Sequence, residues 1–575
     1  MKPSVTLAFL PLVIAAGCTK ADIFGQESGA TNNTVATSPE TDTSSGVKEE
    51  DTYKEDSFDR TITLTWADGT VTKSGDANNV VSIAGAHVTV DNTKTTEKVI
   101  YSLSGSSSDG SLKLYSNNKQ TLVLNGLSLT NPAGAAINNQ GKKSCYVIVN
   151  GTNSLADAAS ASFTPSGEED LKAVFFSEGQ LLFSGTGSLS VQALNAQGKS
   201  ALTSDDYVYV NGPSVTLTAG SGAGHGLRGK ESVIVDAGTL DITVSAAMKK
   251  GITSDSLVVF NGGVTTIKVS GGTAQDPEEN NEYKAAAGIK ADQVFKMNDG
   301  TLTVTSTGQG GKAIAGDGAA YFNGGTVVAK AEGTNYGSSG SGNPGGGGFP
   351  GGGGFPGGGR PRATQDDDSS KSAKAIKFDG DIHFTGGSVS AIAVNHEAIE
   401  AKGVLTVTGG TLYAQSSDDA INSAGDMTIS GGYVCAYSTG NDGLDANGNC
   451  KIQGGVVYAV GARDPEVGID AEEHHTLTVS GGTLFVIGGL ERGSSLSQTC
   501  YTVSSWKTNT WYALTVGNDT YAIKTPATGG TSLVVSGASK PTLKTGVSVE
   551  GGTSIWNDMG ALQATVSGGT EVTLK

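Results

Sequence analysis

Short runs of alternating apolar and polar residues recur along most of the chain, and glycine separates them. Leu405–Thr408 precedes the pair Gly409–Gly410, and Thr411–Ala414 follows it. Alternation with a period of two is typical of a β-strand, so the apolar residues of each run should share one face. The glycine pair should form the corner between two strands, where φ can be positive and a side chain would collide with the next turn.

The runs return at a nearly fixed interval, marked by an aliphatic residue that follows alanine or glycine. Successive markers lie 25, 25, 37, 25, 62, 23, 22, 23 and 25 positions apart, so the two long intervals predict insertions. Glycine pairs keep the same interval. The markers are Leu202, Leu227, Ile252, Ile289, Ile314, Ile376, Ile399, Ile421, Leu444 and Ile469.

A repeat of this length, with two or three short strands, cannot bury its own apolar face. Stacked turns allow each strand to hydrogen-bond to its counterparts about 4.8 Å above and below, and they bury the aliphatic residues in one interior column. The pattern of a leucine-rich repeat is missing, and a propeller blade needs roughly 40 residues or more. The pattern predicts an all-β protein built as a parallel β-helix, a solenoid.

The first residues predict export and a lipid anchor. Lys2 is followed by the apolar stretch Val5–Ala16, and small residues end at Cys18, as in a bacterial lipobox. The alternative is an ordinary signal peptide that contains a cysteine. We expect a lipoprotein signal peptide over residues 1–17, lipidation of Cys18, and a flexible acidic tether over 18–58, which is too poor in apolar residues to fold. The protein should be exported to the cell envelope, at the outer membrane or cell surface.

The remaining boundaries follow from the repeat. Residues 59–130 should form an N-terminal cap with entry strands, and residues 131–490 the β-helix. The Gly/Pro-rich stretch 335–371 should protrude from it as a loop, either a functional lid or a tolerated insertion. After Gly489 the interval is lost and three of the four tryptophans cluster, so we expect residues 491–575 to form a β-rich C-terminal cap over the open end.

Charge and cysteine content exclude some partners. The formal net charge is -18 and no basic arm offsets it, so nucleic-acid binding is not expected. After the leader, no stretch is long and apolar enough to span a bilayer. The spacing of the four cysteines after Cys18 fits no zinc pattern. Export makes disulfides possible, but the spacing does not assign any pair.

Three stretches near the start of the repeat have a more specific pattern: Thr121–Thr130, Ala135–Ile137 and Val149–Leu155. Together with the Gly-Ile and Gly-Gly-Thr coils, they resemble the clostridial-type carbohydrate-binding β-helix domain, over roughly residues 60–490. The resemblance implies a right-handed β-helix without established catalytic activity. It also implies binding of an acidic plant polysaccharide such as polygalacturonate, and calcium on the coils.

Two positions beside the marker can be followed from turn to turn, and both change from basic or neutral to acidic near residue 390. Stacked turns bring such groups to about 5 Å, so a ladder of like charges needs compensation. Ca²⁺ suits the acidic half because it accepts six to eight oxygen ligands; a solvated acidic rim is the alternative. The predicted calcium ligands are Glu397, Glu400, Asp418, Asp419, Asp442, Asp445 and Asp470.

The basic half suggests recognition of sugar acids. Arginine can fork onto a uronate carboxylate and lysine supplies a point charge; scattered surface lysines are the alternative. Outward aromatic residues after the glycine pairs are suited to the apolar faces of sugar rings, although such stacks also simply stabilise β-helices. The predicted carbohydrate-binding residues are Arg228, Lys250, Lys290, Lys377, Tyr413, Tyr433, Tyr437 and Tyr458.

Catalysis has weaker support. Asp205-Asp206 and Gly224-His225-Gly226 match only part of a polygalacturonase signature, and Lys377 beside Glu397 and Glu400 is the only pair that would suit a lyase. We therefore expect a monomeric, non-catalytic surface protein that binds acidic polysaccharide, with no catalytic residue. An adhesin or structural stalk is the first alternative, and a pectate-lyase-like enzyme is the second.

Overall fold

The computed structural model describes residue 48 and residues 51–67, 69–159, 163, 167, 169–194, 197–279, 282–337 and 371–575. The predicted signal peptide, Cys18, most of the tether and most of the Gly/Pro-rich loop lie outside the described residues. Among those described, no helix is both long and apolar enough to cross a membrane. Within those ranges the regular structure consists of the 3-10 turn Glu55–Ser57 and β-strands.

The strands are short, and many turns of the chain contribute three of them. In chain order they are β1 Arg60–Ala67, β2 Thr70–Ser74, β3 Val81–Ala84, β4 His87–Asn92, β5 Val99–Ser107, β6 Ser111–Ser116, β7 Gln120–Asn131, β8 Ile137–Asn139, β9 Cys145–Asn150, β10 Thr152–Asp157, β11 Ala173–Ser177, β12 Leu181–Gly185, β13 Ser188–Ala193, β14 Ser200–Ser204, β15 Tyr207–Ala219, β16 Leu227–Gly229, β17 Ser232–Val244, β18 Lys250–Ser254, β19 Leu257–Phe260, β20 Val264–Val269, β21 Ala274–Gln275, β22 Tyr283–Lys284, β23 Ala287–Ala291, β24 Val294–Met297, β25 Thr301–Ser306, β26 Lys312–Gly316, β27 Ala319–Phe322, β28 Thr326–Ala331, β29 Ile376–Phe378, β30 Ile382–Phe384, β31 Ser388–Ala393, β32 Ile399–Ala401, β33 Leu405–Val407, β34 Thr411–Ser416, β35 Ile421–Ser423, β36 Met427–Ile429, β37 Tyr433–Ser438, β38 Leu444–Ala446, β39 Cys450–Val460, β40 Ile469–Ala471, β41 Leu477–Ile487, β42 Ser495–Leu496, β43 Cys500–Val503, β44 Trp511–Val516, β45 Asp519–Lys524, β46 Leu533–Ser536, β47 Thr542–Glu550, β48 Thr553–Ile555, β49 Gly560–Leu562 and β50 Thr565–Glu571.

Successive turns stack into a parallel β-solenoid of about 14 turns, which confirms the predicted fold class. One strand of each turn joins a 15-stranded sheet, which starts at β3 and ends at β40. The other strands join a 27-stranded sheet, and in many turns two of them do so, separated by the glycine pair. We call the outer surface of the 15-stranded sheet the marker face, because that sheet contains the aliphatic markers.

The interior is one continuous apolar column. The marker Ile399 lies in register between Ile376 and Ile421 on the neighbouring turns, and all three are fully buried. Burying one such side chain contributes roughly 1.5–3 kcal/mol, so a column that runs through every turn supplies much of the stability of the fold.

The glycine pair makes the corner that the sequence predicts. At Gly409, an added Cβ would lie 2.4 Å from the carbonyl oxygen of Thr385 on the previous turn. Its neighbour Gly410 has a φ of +80°, which L-residues with side chains rarely adopt. The first glycine therefore allows the close approach of two turns, and the second allows the change of direction.

The solenoid begins earlier than expected. β1 pairs in parallel with β5, and β5 pairs in parallel with β7, so parallel turns start at Arg60 rather than at residue 131. Two antiparallel hairpins, β1–β2 and β3–β4, close this end. In these first turns the residues at the marker position, Val88 and Leu112, follow a polar residue rather than alanine or glycine, so the repeat pattern did not reveal them.

The end of the predicted tether is also ordered. Tyr53 and Phe58 pack against Tyr146 of β9, with ring centroids 5.2 Å and 6.1 Å from its ring. The side chain of Asp51 is buried. The chain therefore joins the solenoid at about residue 51 and not at residue 59.

Residues after 490 fold as a β-rich unit. β46 pairs antiparallel with β41 and β43 and so extends the 27-stranded sheet. β44, β45 and β47–β50 form a separate six-stranded antiparallel sheet. This C-terminal unit packs on the outside of the last turns as well as closing their edge. The four cysteines of the described residues are free.

Candidate functional site

The marker face carries the predicted line of changing charge. Strand register places the residue after each marker directly opposite its counterpart on the next turn. The line is basic or neutral up to Lys377 and acidic or amide from Glu400 onwards, so its two halves meet on adjacent turns. In order, it contains Thr203, Arg228, Thr253, Lys290, Ala315, Lys377, Glu400, Asn422, Asp445 and Asp470.

A groove of about 560 Å³ lies over the basic half of this face. Its lining includes the four predicted basic residues Arg228, Lys250, Lys290 and Lys377. The hairpin β21–β22 contributes Tyr283 to the same lining. This hairpin lies in the interval of 37 residues that marked an insertion, so the insertion builds one side of the groove.

Three of the four predicted cations are paired with aspartates. Arg228 Nη2 lies 2.9 Å from Asp255 Oδ2, and Lys290 Nζ lies 3.2 Å from Asp292 Oδ1. Lys377 pairs with an aspartate two residues further on. Asp255 is 45% exposed against 30% for Arg228, so the carboxylate is the more accessible partner there. Paired charges offer both donors and acceptors, which suits sugar hydroxyl groups.

Lys250 has a different environment. Its ammonium donates to the carbonyl oxygen of Met248, 2.6 Å away, and no carboxylate of the described residues forms an ion pair with it. Burial, together with Lys290 and other nearby lysines, lowers the pKa of Lys250 to about 8. Burial also holds the pKa of His225, which accepts a hydrogen bond from the Lys250 backbone N–H at 3.0 Å, well below its ordinary value.

The acidic half gathers three of the predicted calcium ligands. Asp442, Asp445 and Asp470 each place a carboxylate oxygen within 4.8 Å of the other two. Burial first, and then neighbouring carboxylates, raise the pKa of Asp442 to about 8, of Asp445 to about 6 and of Asp470 to about 7. Burial also raises the pKa of Asp419 well above its ordinary value. A hard cation would compensate this cluster, and carboxylate oxygens fit one.

Two other predicted calcium ligands have a protein cation instead. The ammonium of Lys374 is fully buried, 2.6 Å from Glu400 and 3.3 Å from Glu397. Lys402 adds a second contact to Glu400 at 2.5 Å. These lysines supply the counter-charge of Glu400 in the described structure, and calcium binding by Glu400 stays a prediction. Glu397 also contacts His396, which lies 3.4 Å from the predicted ligand Asp418.

Three of the four predicted sugar-binding tyrosines are not accessible in the described structure, so the prediction is wrong for those three. Tyr413, Tyr437 and Tyr458 are buried under the C-terminal unit. Trp556 of that unit donates from Nε1 to the carbonyl oxygen of Tyr433 at 3.2 Å. The rings face outward from the turns as predicted, but residues after 490 cover them, which no feature of the repeat could indicate.

The aromatic residue that lines the groove, Tyr283, was not among the predicted binding residues. Tyr283 lies 5.4 Å from the ring of Tyr336, and the ammonium of Lys371 is 4.0 Å from its centroid. Tyr336 and Lys371 stand at the two ends of the predicted Gly/Pro-rich loop. The two long marker intervals were the available signal, since both insertions meet at this wall.

Known proteins are similar to the part of the chain that holds most of the groove. Residues 84–247 and 243–335 match the family model described as carbohydrate-binding domain-containing protein. The chain thus resembles carbohydrate-binding domain proteins. The match covers less than half of the 575 residues.

One solved structure is also similar, that of the polysaccharide lyase-like protein from C. thermocellum, as a gadolinium derivative. The two chains share 21% identity over 46% of this chain and 96% of that chain, with a TM-score of 0.36. No curated protein matches this chain.

Proposed function

We propose that this protein is a non-catalytic surface module that binds acidic polysaccharide along the groove of the marker face. The observation that carries the proposal is the convergence of Arg228, Lys250, Lys290 and Lys377 on one groove. They come from turns stacked about 4.8 Å apart, a spacing comparable with one sugar along an extended polymer. Cationic side chains outnumber carboxylates in the lining, which favours an acidic ligand such as a polyuronate.

The arrangement of possible catalytic groups favours binding over cleavage. Lys377, the candidate base of a lyase, is engaged with Asp379, and Glu400 is engaged with Lys374. The two parts of the partial hydrolase motif do not share one site. His225 lines the groove, whereas Asp205 does not and pairs with Lys172 instead.

We include calcium in the proposal as a second element of the same face. Asp442, Asp445 and Asp470 would hold the ion, and its role would be to compensate their charge and attract an acidic polymer to the neighbouring turns. The raised pKa values of these carboxylates support a missing counter-charge. We further propose that the protein is a monomer anchored in the cell envelope through lipid on Cys18.

Retardation of the protein in gels that contain soluble polysaccharides tests the proposal. Polygalacturonate should retard the protein, a neutral glucan should not, and chelator should weaken the effect. The polymer should not be shortened and no unsaturated product should appear. New chain ends would favour the lyase alternative, and retardation by no glycan at all would favour an adhesin.

A further inference from the structure

The cationic side chains of the groove have two kinds of environment. Arg228 and Lys290 each have an aspartate partner within the groove. Lys250 begins the strand on the turn between them, and its ammonium reaches only the Met248 carbonyl oxygen, with no ion pair to a carboxylate of the described residues. Its charge is thus left without a matching charge in the described part of the protein.

The surroundings of Lys250 oppose that charge. Burial is the largest cause of its lowered pKa, and three lysines add to it, while one aspartate acts weakly in the opposite direction. The adjacent His225 stays neutral at physiological pH because its own pKa is lowered. A ligand anion would remove the electrostatic cost. The charged neighbours are Lys249, Lys284, Lys290 and Asp292.

An aromatic wall stands in the same groove. Tyr283 is held by the ring of Tyr336 and by the ammonium of Lys371, and it is half-buried, so part of its surface remains available. Sugar rings have an apolar face that packs well on aromatic rings. The groove therefore combines an unmatched cation with a surface for the ring of a sugar.

We propose that Lys250 anchors one acidic sugar of the polymer, binding its carboxylate while the sugar ring packs against Tyr283. The assignment rests on the proposed function and names the unit that is recognised. Since Lys250 is partly neutral near pH 8, the bound carboxylate should draw a proton onto it. Arg228 and Lys290 would then meet the sugars on either side, one turn of about 4.8 Å away.

Calorimetry with a galacturonate oligomer tests this on the full chain, at pH 8 in buffers of different ionisation enthalpy. We expect net proton uptake on binding. Lys250→Met should weaken binding at least about tenfold, because it removes a hydrogen bond between charged groups, and it should abolish the uptake. Lys268→Met, which removes an exposed lysine from the 27-stranded sheet, is the control and should change neither quantity.

A second variant keeps the test decisive if Lys250→Met does not fold. Lys250→Arg should still bind the oligomer but without proton uptake, because a guanidinium stays protonated. Uptake that persists in Lys250→Arg, or full affinity in a folded Lys250→Met, would overturn the anchor and leave the proposed function standing. Failure of the unaltered protein to bind any acidic polymer would instead overturn the proposed function.

Discussion

Asp51 fixes the point at which the chain joins the solenoid. Its Oδ2 accepts a hydrogen bond from the Tyr207 hydroxyl at 2.6 Å, and its Oδ1 lies 3.2 Å from Lys119 Nζ and also accepts from Ser144. Burial alone would raise the pKa of Asp51, but these hydrogen bonds together lower it below the ordinary value. One carboxylate thus ties a segment of polar sequence to three separate places on the solenoid.

Asp51→Asn should release the segment that ends at Phe58, with a loss of about 1–3 kcal/mol of docking free energy. Because the folded pKa lies below the unfolded one, docking in the unaltered protein is fully stable above about pH 4 and is lost as the pH falls further. Hydrogen exchange of the amides of Ser57 and Phe58 against pH measures both effects. Asp56→Asn, at an exposed carboxylate, is the control and should exchange like the unaltered protein.

The buried pair of Lys374 and Glu400 marks the boundary between the two charge signs. Lys374→Met should lower the free energy of unfolding by about 3–5 kcal/mol, because it leaves Glu400 buried beside only Lys402. The double variant with Glu400→Gln should recover most of that loss. Thermal unfolding measures both. A single variant as stable as the double one would mean that the pair is not coupled.

The positions of residues along the marker face could be predicted from the sequence. The burial of the tyrosines under the C-terminal unit could not. One marker per turn fixes the register, so the line from Arg228 through Lys377 to Asp470 follows from counting alone. The burial of Tyr458 depends on residues after 490, which share no repeat with it. The counter-charges were equally hidden, since no repeat signal showed that Lys374, before the change of sign, neutralises Glu400, after it.

At the scale of the strand, the corner glycines decide how closely two turns approach. Gly409→Ala should lower the free energy of unfolding by about 1–3 kcal/mol, as expected for overpacking, because the new Cβ would meet the Thr385 carbonyl oxygen on the previous turn. Denaturant unfolding measures the loss. Thr411→Ala, at a partly exposed neighbour, should stay within about 0.5 kcal/mol. If both variants lost the same small amount of unfolding free energy, the turns could move apart to admit the Cβ, and the prediction would be wrong.

The strand pattern also explains which elements the sequence could locate. Turns with a marker were found with their insertions, while the turns that begin with β1, β5 and β7 were assigned to a cap. Their alternation is as regular, as in Ile62, Leu64 and Trp66, which are all buried. They also have the short strand, but their residues at the marker position, Val88 and Leu112, follow a polar residue rather than alanine or glycine. The aromatic Phe175 occupies the same position between Ile137 and Leu202, so the count of aliphatic markers did not extend back to these turns.

In the whole molecule, the groove and the C-terminal unit lie on different faces. The groove is built from turns between His225 and Asp379 on the marker face. The C-terminal unit contacts the outer side of the later turns through β34, β37, β39 and β41. No residue of that cluster lines the groove, so the two regions should respond independently to substitution.

Trp556→Ala tests this independence. Trp556 is buried, its ring lies 6.0 Å from that of Tyr458, and it hydrogen-bonds to Tyr433. Its loss should weaken docking of the C-terminal unit by about 3–5 kcal/mol, seen as earlier unfolding and as binding of a hydrophobic dye. Affinity for polygalacturonate should stay unchanged.

Lys250→Met is the opposite case. It should weaken polysaccharide binding at least about tenfold. It should keep or raise the melting temperature, because it removes a cation whose burial is costly. The pair of variants therefore separates binding from stability. If Trp556→Ala abolished polysaccharide binding while the solenoid stayed folded, the tyrosine face and its C-terminal cover would be part of the binding surface, and the groove would not suffice.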